Sequence, residues 1–232
     1  MTHPIVTRDE WLAARKAHLA DEKAFTEARD ALSARRRALP WVRVEKDYRF
    51  ETAEGAKSLS DLFGPHSQLI VQHFMFGPDW EAGCPSCSFW ADGYDPHIVH
   101  LAHRDAAMVT VSNTSLEKID AYKARMGWTF PWVSSLGSDF NRDFAVSFTP
   151  DEMQSGRAIY NYGSSGFPAP EAPGISIFHR PAPDTLVHTY STFGRGLDML
   201  NAAYHYLDLL PKGRDEAAGN MAWLRRHDEY DT

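Results

Sequence analysis

The segment Leu69-Ile70-Val71-Gln72-His73-Phe74-Met75-Phe76 constrains the fold more than any other part of the chain. It is almost continuously apolar and shows no period-two alternation. A strand with one wet face alternates; a strand covered on both faces does not, and such strands lie at the centre of parallel sheets. Both faces then need helices, which makes the chain α/β. Gly77-Pro78-Asp79 breaks the run, and Cys84-Pro85-Ser86-Cys87 follows within a few residues.

That tetrapeptide holds the two cysteines of the chain. A thiolate, not a thiol, attacks a disulfide, and a free thiol with a pKa of ~8.5 is mostly protonated at neutral pH. If Cys84 caps a helix, Pro85 takes the first helical position, where its missing N–H is no loss. The N–H groups of Ser86 and Cys87 then point back at the Cys84 sulfur, which sits at the positive end of the helix dipole. Cys84 is therefore the expected attacking thiol and Cys87 the resolving one, with both sulfurs on one side of the first turn. Zinc sites share the same spacing but need two more ligands. With no further cysteine, these would be His, Asp or Glu. His73 and the triplet His97, His100, His103 are the nearest imidazoles, and the triplet's spacing drifts around a helix instead of converging. No metal site is assigned.

Upstream, Arg8 to Leu39 reads as a helix. Trp11, His18, Phe25, Leu32 and Leu39 recur every seven residues, with Leu12 and Leu19 beside them. A helix packed on its own domain is one reading and an arm that pairs two copies is the other. Arg35-Arg36-Arg37 is the solvated end of that helix, and Pro40 stops it. Short extended pieces follow from Trp41 to Phe63. Beyond the dithiol come a helix to Ala91, a second from Asp95-Pro96 to about His103, and a buried strand at Ala107–Val111. Ser115 caps a helix carrying Leu116, Ile119 and Met126. Residues 134–173, with the loop Gly163-Ser164-Ser165-Gly166, are irregular and read as an insertion over the sheet. A hairpin joins Ile175–Phe178 to Leu186–Tyr190, and a closing helix runs from Gly196 to Leu210. The expected organisation is an N-terminal helical extension over 1–40, an α/β domain over 41–212, and a polar tail over 213–232. The sheet should be mixed, with a right-handed parallel crossover at its centre and helices flanking it.

A net charge of -7 argues against nucleic-acid binding, which needs a basic face. No stretch approaches the ~18 apolar residues of a membrane span. The first nineteen residues lack the apolar core of a secretory signal, so a cytoplasmic location is expected.

Three segments together resemble a bacterial thioredoxin-like family catalogued as domain of unknown function 899. They are Phe76-Gly77-Pro78-Asp79-Trp80 leading into Gly83 to Asp92, Arg125 to Trp132, and His188 to Asp198. The resemblance spans nearly the whole chain and implies a thioredoxin-like fold in a redox protein, without naming a substrate. Cys84-Pro85-Ser86-Cys87 is similar to the glutaredoxin pattern. Thioredoxins carry Trp directly before the first cysteine; here Gly83 stands there and Trp80 lies four residues earlier. Trp80 is the tryptophan expected at a substrate site, whereas Trp90, Trp128 and Trp132 read as aromatic core or as walls of the dithiol. Thioredoxin-like proteins also present a cis-proline to the dithiol just before a strand. Pro173 stands in the matching place, with a trans loop proline as the other reading. Peroxiredoxins hold Thr three residues before their reactive cysteine, and here that residue is Glu81. The resulting expectation is a thiol–disulfide oxidoreductase without a cofactor, acting on protein or small-molecule disulfides. The alternatives are a non-catalytic binding protein on the same scaffold, a thiol peroxidase and a Cys/His metal protein.

Overall fold

The computed structural model describes residues 3–163 and 166–231. Ser164 and Ser165 of the expected loop lie outside the described residues. The chain divides into two compact units, one up to Pro40 and one from Trp41 onward.

The first unit is the helix α1 (Arg8–Arg37). Its start is fixed by a capping box. The Glu10 N–H donates to Thr7 Oγ1 at 3.4 Å, and the Thr7 N–H donates to Glu10 Oε2 at 2.9 Å. Asp9 and Glu10 in the first turn and Arg35 to Arg37 in the last complement the helix dipole.

The second unit is built on a sheet in the order β1-β8-β7-β4-β5-β6-β2-β3. Its strands are β1 (Val42–Arg43), β2 (Arg49–Thr52), β3 (Gly55–Ser58), β4 (Gln68–His73), β5 (Ala106–Ser112), β6 (Trp132–Ser134), β7 (Gly174–Ala182) and β8 (Thr185–Phe193). β4 pairs parallel with β5, and β5 parallel with β6. On the other side β4 pairs antiparallel with β7, and β7 with β8. A parallel βαβ centre flanked by an antiparallel hairpin is a mixed, thioredoxin-like sheet. The helices α2 (Pro85–Ala91) and α3 (Asp95–Ala102) cross from β4 to β5, and α4 (Leu116–Met126) crosses from β5 to β6.

β4 shows why its sequence does not alternate. Leu69 and Val71 are fully buried in one apolar cluster with Phe63, Val109, Val111, Phe140 and Phe178. Ile70 packs against a second cluster that holds Phe74, Cys87, Trp90, Tyr122 and Trp132. Each such side chain contributes about 1.5–3 kcal/mol by leaving water. The strand stops at His73, so Phe74 to Phe76 leave the ladder and lead into the dithiol loop at the carboxyl end of the parallel strands. That end is where open α/β sheets carry their sites.

Two elements differ from expectation. The closing helix is split into a 3₁₀ stretch (Gly194–Leu200) and α7 (Ala202–Asp208). Asn201 is the reason: its side chain accepts from the Tyr204 N–H at 3.3 Å, so it starts a new helix. The region 134–173 contains α5 (Phe140–Asp143) and α6 (Pro150–Gln154). It also builds its own apolar cluster from Val146, Phe148, Ala158, Tyr160 and Ala172, closed by Phe193. No described helix is long and apolar enough to cross a membrane.

Candidate functional site

Met75 holds the dithiol turn at both ends. Its carbonyl accepts from the Cys84 N–H at 3.0 Å, and its N–H donates to Cys87 Sγ at 3.4 Å. The residues between form a closed loop. Within it the Trp80 N–H donates to the Gly77 carbonyl at 3.1 Å, and Lys118 Nζ on α4 donates to the Pro78 and Trp80 carbonyls at 2.6 and 3.1 Å.

Cys84 is the N-cap residue of α2 and Pro85 occupies its first turn, as the sequence predicts. The cap is not closed in the way a serine would close it, because the Cys84 side chain makes no capping hydrogen bond. Sulfur is a weak acceptor. The neighbouring groups nevertheless act on its charge. The Cys87 thiol, donating to the Cys84 sulfur, lowers the Cys84 pKa most, followed by the N–H groups of Cys87 and Ser86; burial opposes them, and the result is a value of about 6. Cys87 moves the other way. Its burial, and then the adjacent Cys84, push its pKa up, with only the Met75 N–H pulling it down. Cys84 is half-buried and Cys87 is 2 % exposed, and both are free thiols. The pair thus consists of one accessible thiolate-prone sulfur and one enclosed thiol.

A polar chain supports the turn from below. The Ser88 N–H and Oγ both donate to the Cys84 carbonyl, at 3.0 and 2.9 Å. Ser88 Oγ also meets the Tyr122 hydroxyl at 2.9 Å. Arg226, near the end of the chain, donates to that hydroxyl from Nε at 2.9 Å and to the Gly83 carbonyl from Nη2 at 2.7 Å. The neighbouring His227 Nδ1 lies 2.6 Å from Asp92 Oδ1, just beyond α2. The segment expected as a polar tail therefore supplies contacts at both ends of the dithiol helix.

Gly83 accounts for the missing tryptophan. A Cβ there would stand 2.7 Å from ring atoms of both Phe74 and Tyr122. No side chain fits, so the position directly before Cys84 cannot carry an aromatic ring. Trp80 instead lies half-buried over Gly77 and packs against the cluster that contains Cys87, with Cys84 also packed on it. Trp90, Trp128 and Trp132 are buried members of that cluster. Glu81 is exposed.

Pro173 precedes β7 as expected, but its peptide bond is trans, since the described residues contain no cis bond. The trans form is the intrinsically favoured one, and the carbonyl is anchored in place by the Tyr160 hydroxyl, which donates to it at 2.6 Å. Tyr160 is a buried side chain whose hydroxyl pKa is raised by burial and, further, by charge on Cys87. Among the described residues no three His, Cys, Asp or Glu side chains converge as a metal site.

Sequence reasoning identified the two sulfurs and missed what holds them. Tyr122 and Ser88 read as ordinary helix residues. Arg226 carried no local signal, because its partner is a backbone carbonyl 143 positions away. Only Gly83, a glycine where thioredoxins carry a tryptophan, is a signal of a close approach.

A model of the bacterial family of proteins of unknown function DUF899 matches residues 1–230, and the chain belongs to that family. No curated protein matches it. Among solved structures, peroxiredoxin Q from Xanthomonas campestris shares 17 % identity at a TM-score of 0.43, over 70 % of this chain and 96 % of that one. A PrxQ mutant from Xylella fastidiosa shares 15 % at 0.40, over 72 % and 95 %. Peroxidoxin BcpB from Mycobacterium tuberculosis shares 14 % at 0.43, over 71 % and 94 %. At this distance the fold rests on the strand order and the parallel crossover described above.

Proposed function

We propose that this DUF899 member is a thiol–disulfide oxidoreductase in which Cys84 attacks and Cys87 resolves. One observation carries the reading: the two sulfurs of a single helical turn are driven in opposite directions, Cys84 toward the thiolate and Cys87 toward the thiol. In the reducing direction the Cys84 thiolate attacks one sulfur of a substrate disulfide. The substrate S–S bond breaks, its other sulfur leaves as a thiolate, and a mixed disulfide joins Cys84 to the substrate. Cys87 then loses its proton and attacks the Cys84 sulfur. The substrate's second thiol is released, and the protein retains a Cys84–Cys87 disulfide. Substrate oxidation is the same sequence reversed. The two sulfurs carry both electrons, so the exchange needs no cofactor. Met75 would serve the resolving step, because its N–H steadies negative charge as it develops on Cys87.

Reaction with oxidised glutathione, followed by mass spectrometry, tests the assignment. The native chain should release two equivalents of reduced glutathione and lose two hydrogens. Cys87→Ser should retain one glutathione on Cys84, and Cys84→Ser should not react. Glutathione held on Cys87, or a native dithiol that stays reduced, would contradict the proposal and favour a binding protein on the same scaffold.

A further inference from the structure

Arg226 reaches the dithiol turn from near the far end of the chain, and its guanidinium can only donate hydrogen bonds. Its Nε/Nη2 edge meets the turn. Nη2 lies 2.7 Å from the Gly83 carbonyl oxygen. Nε is shared between that oxygen at 3.1 Å and the Tyr122 hydroxyl at 2.9 Å. The arginine side chain is 16 % exposed, and Tyr122 and Ser88 are buried. Water therefore screens these groups little. Asp228 and Glu229 balance Arg125 and Arg226 in charge, but it is the guanidinium of Arg226 that touches the turn, with Glu229 on its Nη1 side at 2.8 Å.

Counting donors orders every proton between Arg226 and Cys84. The Cys84 carbonyl only accepts, so the single Ser88 hydroxyl proton goes to it at 2.9 Å. At the contact between Ser88 Oγ and Tyr122 Oη, also 2.9 Å, Tyr122 is then the donor. The Tyr122 oxygen in turn accepts from Arg226 Nε. The bonds run one way, from Arg226 to Tyr122 to Ser88 to Cys84, and bonds so aligned strengthen one another. One cation thus acts on both carbonyls beside the Cys84 Cα, on Gly83 directly and on Cys84 through two hydroxyls. A carbonyl oxygen beside a thiolate presents its negative end to it. A donor on that oxygen weakens the repulsion, and a cation nearby favours the anion outright. We propose that Arg226 is a positioning residue for the attacking thiol, holding the Gly83 and Cys84 carbonyls so that the Cys84 sulfur ionises more readily. The inference rests on the reading of Cys84 as the attacking sulfur.

Iodoacetamide alkylation of Cys84 against pH, in a Cys87→Ser background, reads that ionisation without requiring disulfide exchange. The reagent is uncharged and does not itself respond to Arg226. Adding Arg226→Gln should raise the midpoint by about one pH unit, the low end of what a neighbouring cation does, and Arg226→Lys should raise it by less. Tyr122→Phe breaks the relay to Cys84 and keeps the bonds to Gly83, so its rise should also be smaller. His227→Ala frees the same segment from Asp92 without touching either carbonyl, and should leave the midpoint in place. Near-ultraviolet circular dichroism shows which variants are folded; where Arg226→Gln is not, Arg226→Lys and Tyr122→Phe carry the comparison. An unmoved midpoint in the folded variants of Arg226 and Tyr122 would overturn this inference alone. An equal rise in His227→Ala would do the same, because it would assign the effect to docking of the segment. A midpoint at the free-thiol value in the Cys87→Ser parent would overturn the reading of Cys84 and this inference together.

Discussion

Gly83 has no side chain because two aromatic rings already occupy the space. Phe74 comes from the end of β4 and Tyr122 from α4, and both are among the most enclosed residues of the dithiol side of the core. Gly83→Ala would drive a methyl to 2.7 Å from each ring. We expect the variant to lose about 1–3 kcal/mol of stability, the usual penalty for overpacking a closed site, measured by urea denaturation. Stability equal to that of the native chain would show that the rings yield freely. The same crowding bears on chemistry, since Gly83 fixes the backbone that carries the Cys84 N–H to the Met75 carbonyl. The two cysteines, by contrast, depend on environment for their difference. They share one turn, but one is half-buried and the other is enclosed. Their spacing is written in the sequence, whereas the depth of each sulfur is set by Met75 and the core around it.

At the scale of elements, the dithiol helix is held by segments far apart in the chain. α2 is seven residues long, too short to be stable alone. α4 reaches the preceding loop through Lys118, and the C-terminal segment reaches Gly83 through Arg226 and Asp92 through His227. Arg125 on α4 pairs with Asp228 and Glu229 at 2.7 and 2.9 Å, which ties that segment down a second time. Arg226→Ala removes the charged donors on Gly83 and should lower stability by about 1.5–3 kcal/mol, with Arg226→Lys losing less. An unchanged denaturation midpoint in both would contradict a docked segment. The elements that were legible in the sequence are those fixed locally: α1 by its seven-residue period and the proline that stops it, β4 by its apolar run, and α4 by its Ser115 cap and apolar face. Those that were not depend on partners distant in sequence. β6 is a three-residue strand in a stretch that already reads as extended from 128 to 133, and its bounds come only from its pairing with β5. Glu171 looks like a surface carboxylate in an irregular stretch. It is 3 % exposed, and it accepts from Ser147 Oγ at 2.6 Å and Asn113 Nδ2 at 2.9 Å. The trans bond before Pro173 is of the same kind, since the residue's place was readable and its geometry was not.

For the whole molecule, the buried histidine on the face of β4 away from the dithiol makes stability depend on pH. Burial and then the nearby His188 hold His73 far down, to about 3, and its Nε2 lies 2.8 Å from Ser176 Oγ. The unfolded chain takes up a proton near the ordinary value of ~6.5, whereas the folded chain does not until about pH 3. Unfolding therefore binds a proton throughout this window, so stability is greatest above pH 6.5 and falls as the pH drops. The slope from this group approaches about 1.4 kcal/mol per pH unit. His188, held down mainly by its own burial, acts in the same sense. Glu171, held up by burial, acts in the opposite sense, losing its contribution as the pH rises above the ordinary carboxyl range. His73→Gln should flatten the decline between pH 6.5 and 4.5; a slope identical to that of the native chain would remove His73 as its source. The division of labour between the sulfurs is read in the rate of iodoacetamide alkylation of Cys84 against pH in Cys87→Ser. A midpoint clearly below the free-thiol value of ~8.5 is expected, because the serine hydroxyl can still donate to the Cys84 sulfur as the Cys87 thiol does, and the N–H groups of Ser86 and residue 87 remain to favour the thiolate. A midpoint at or above that value would contradict it.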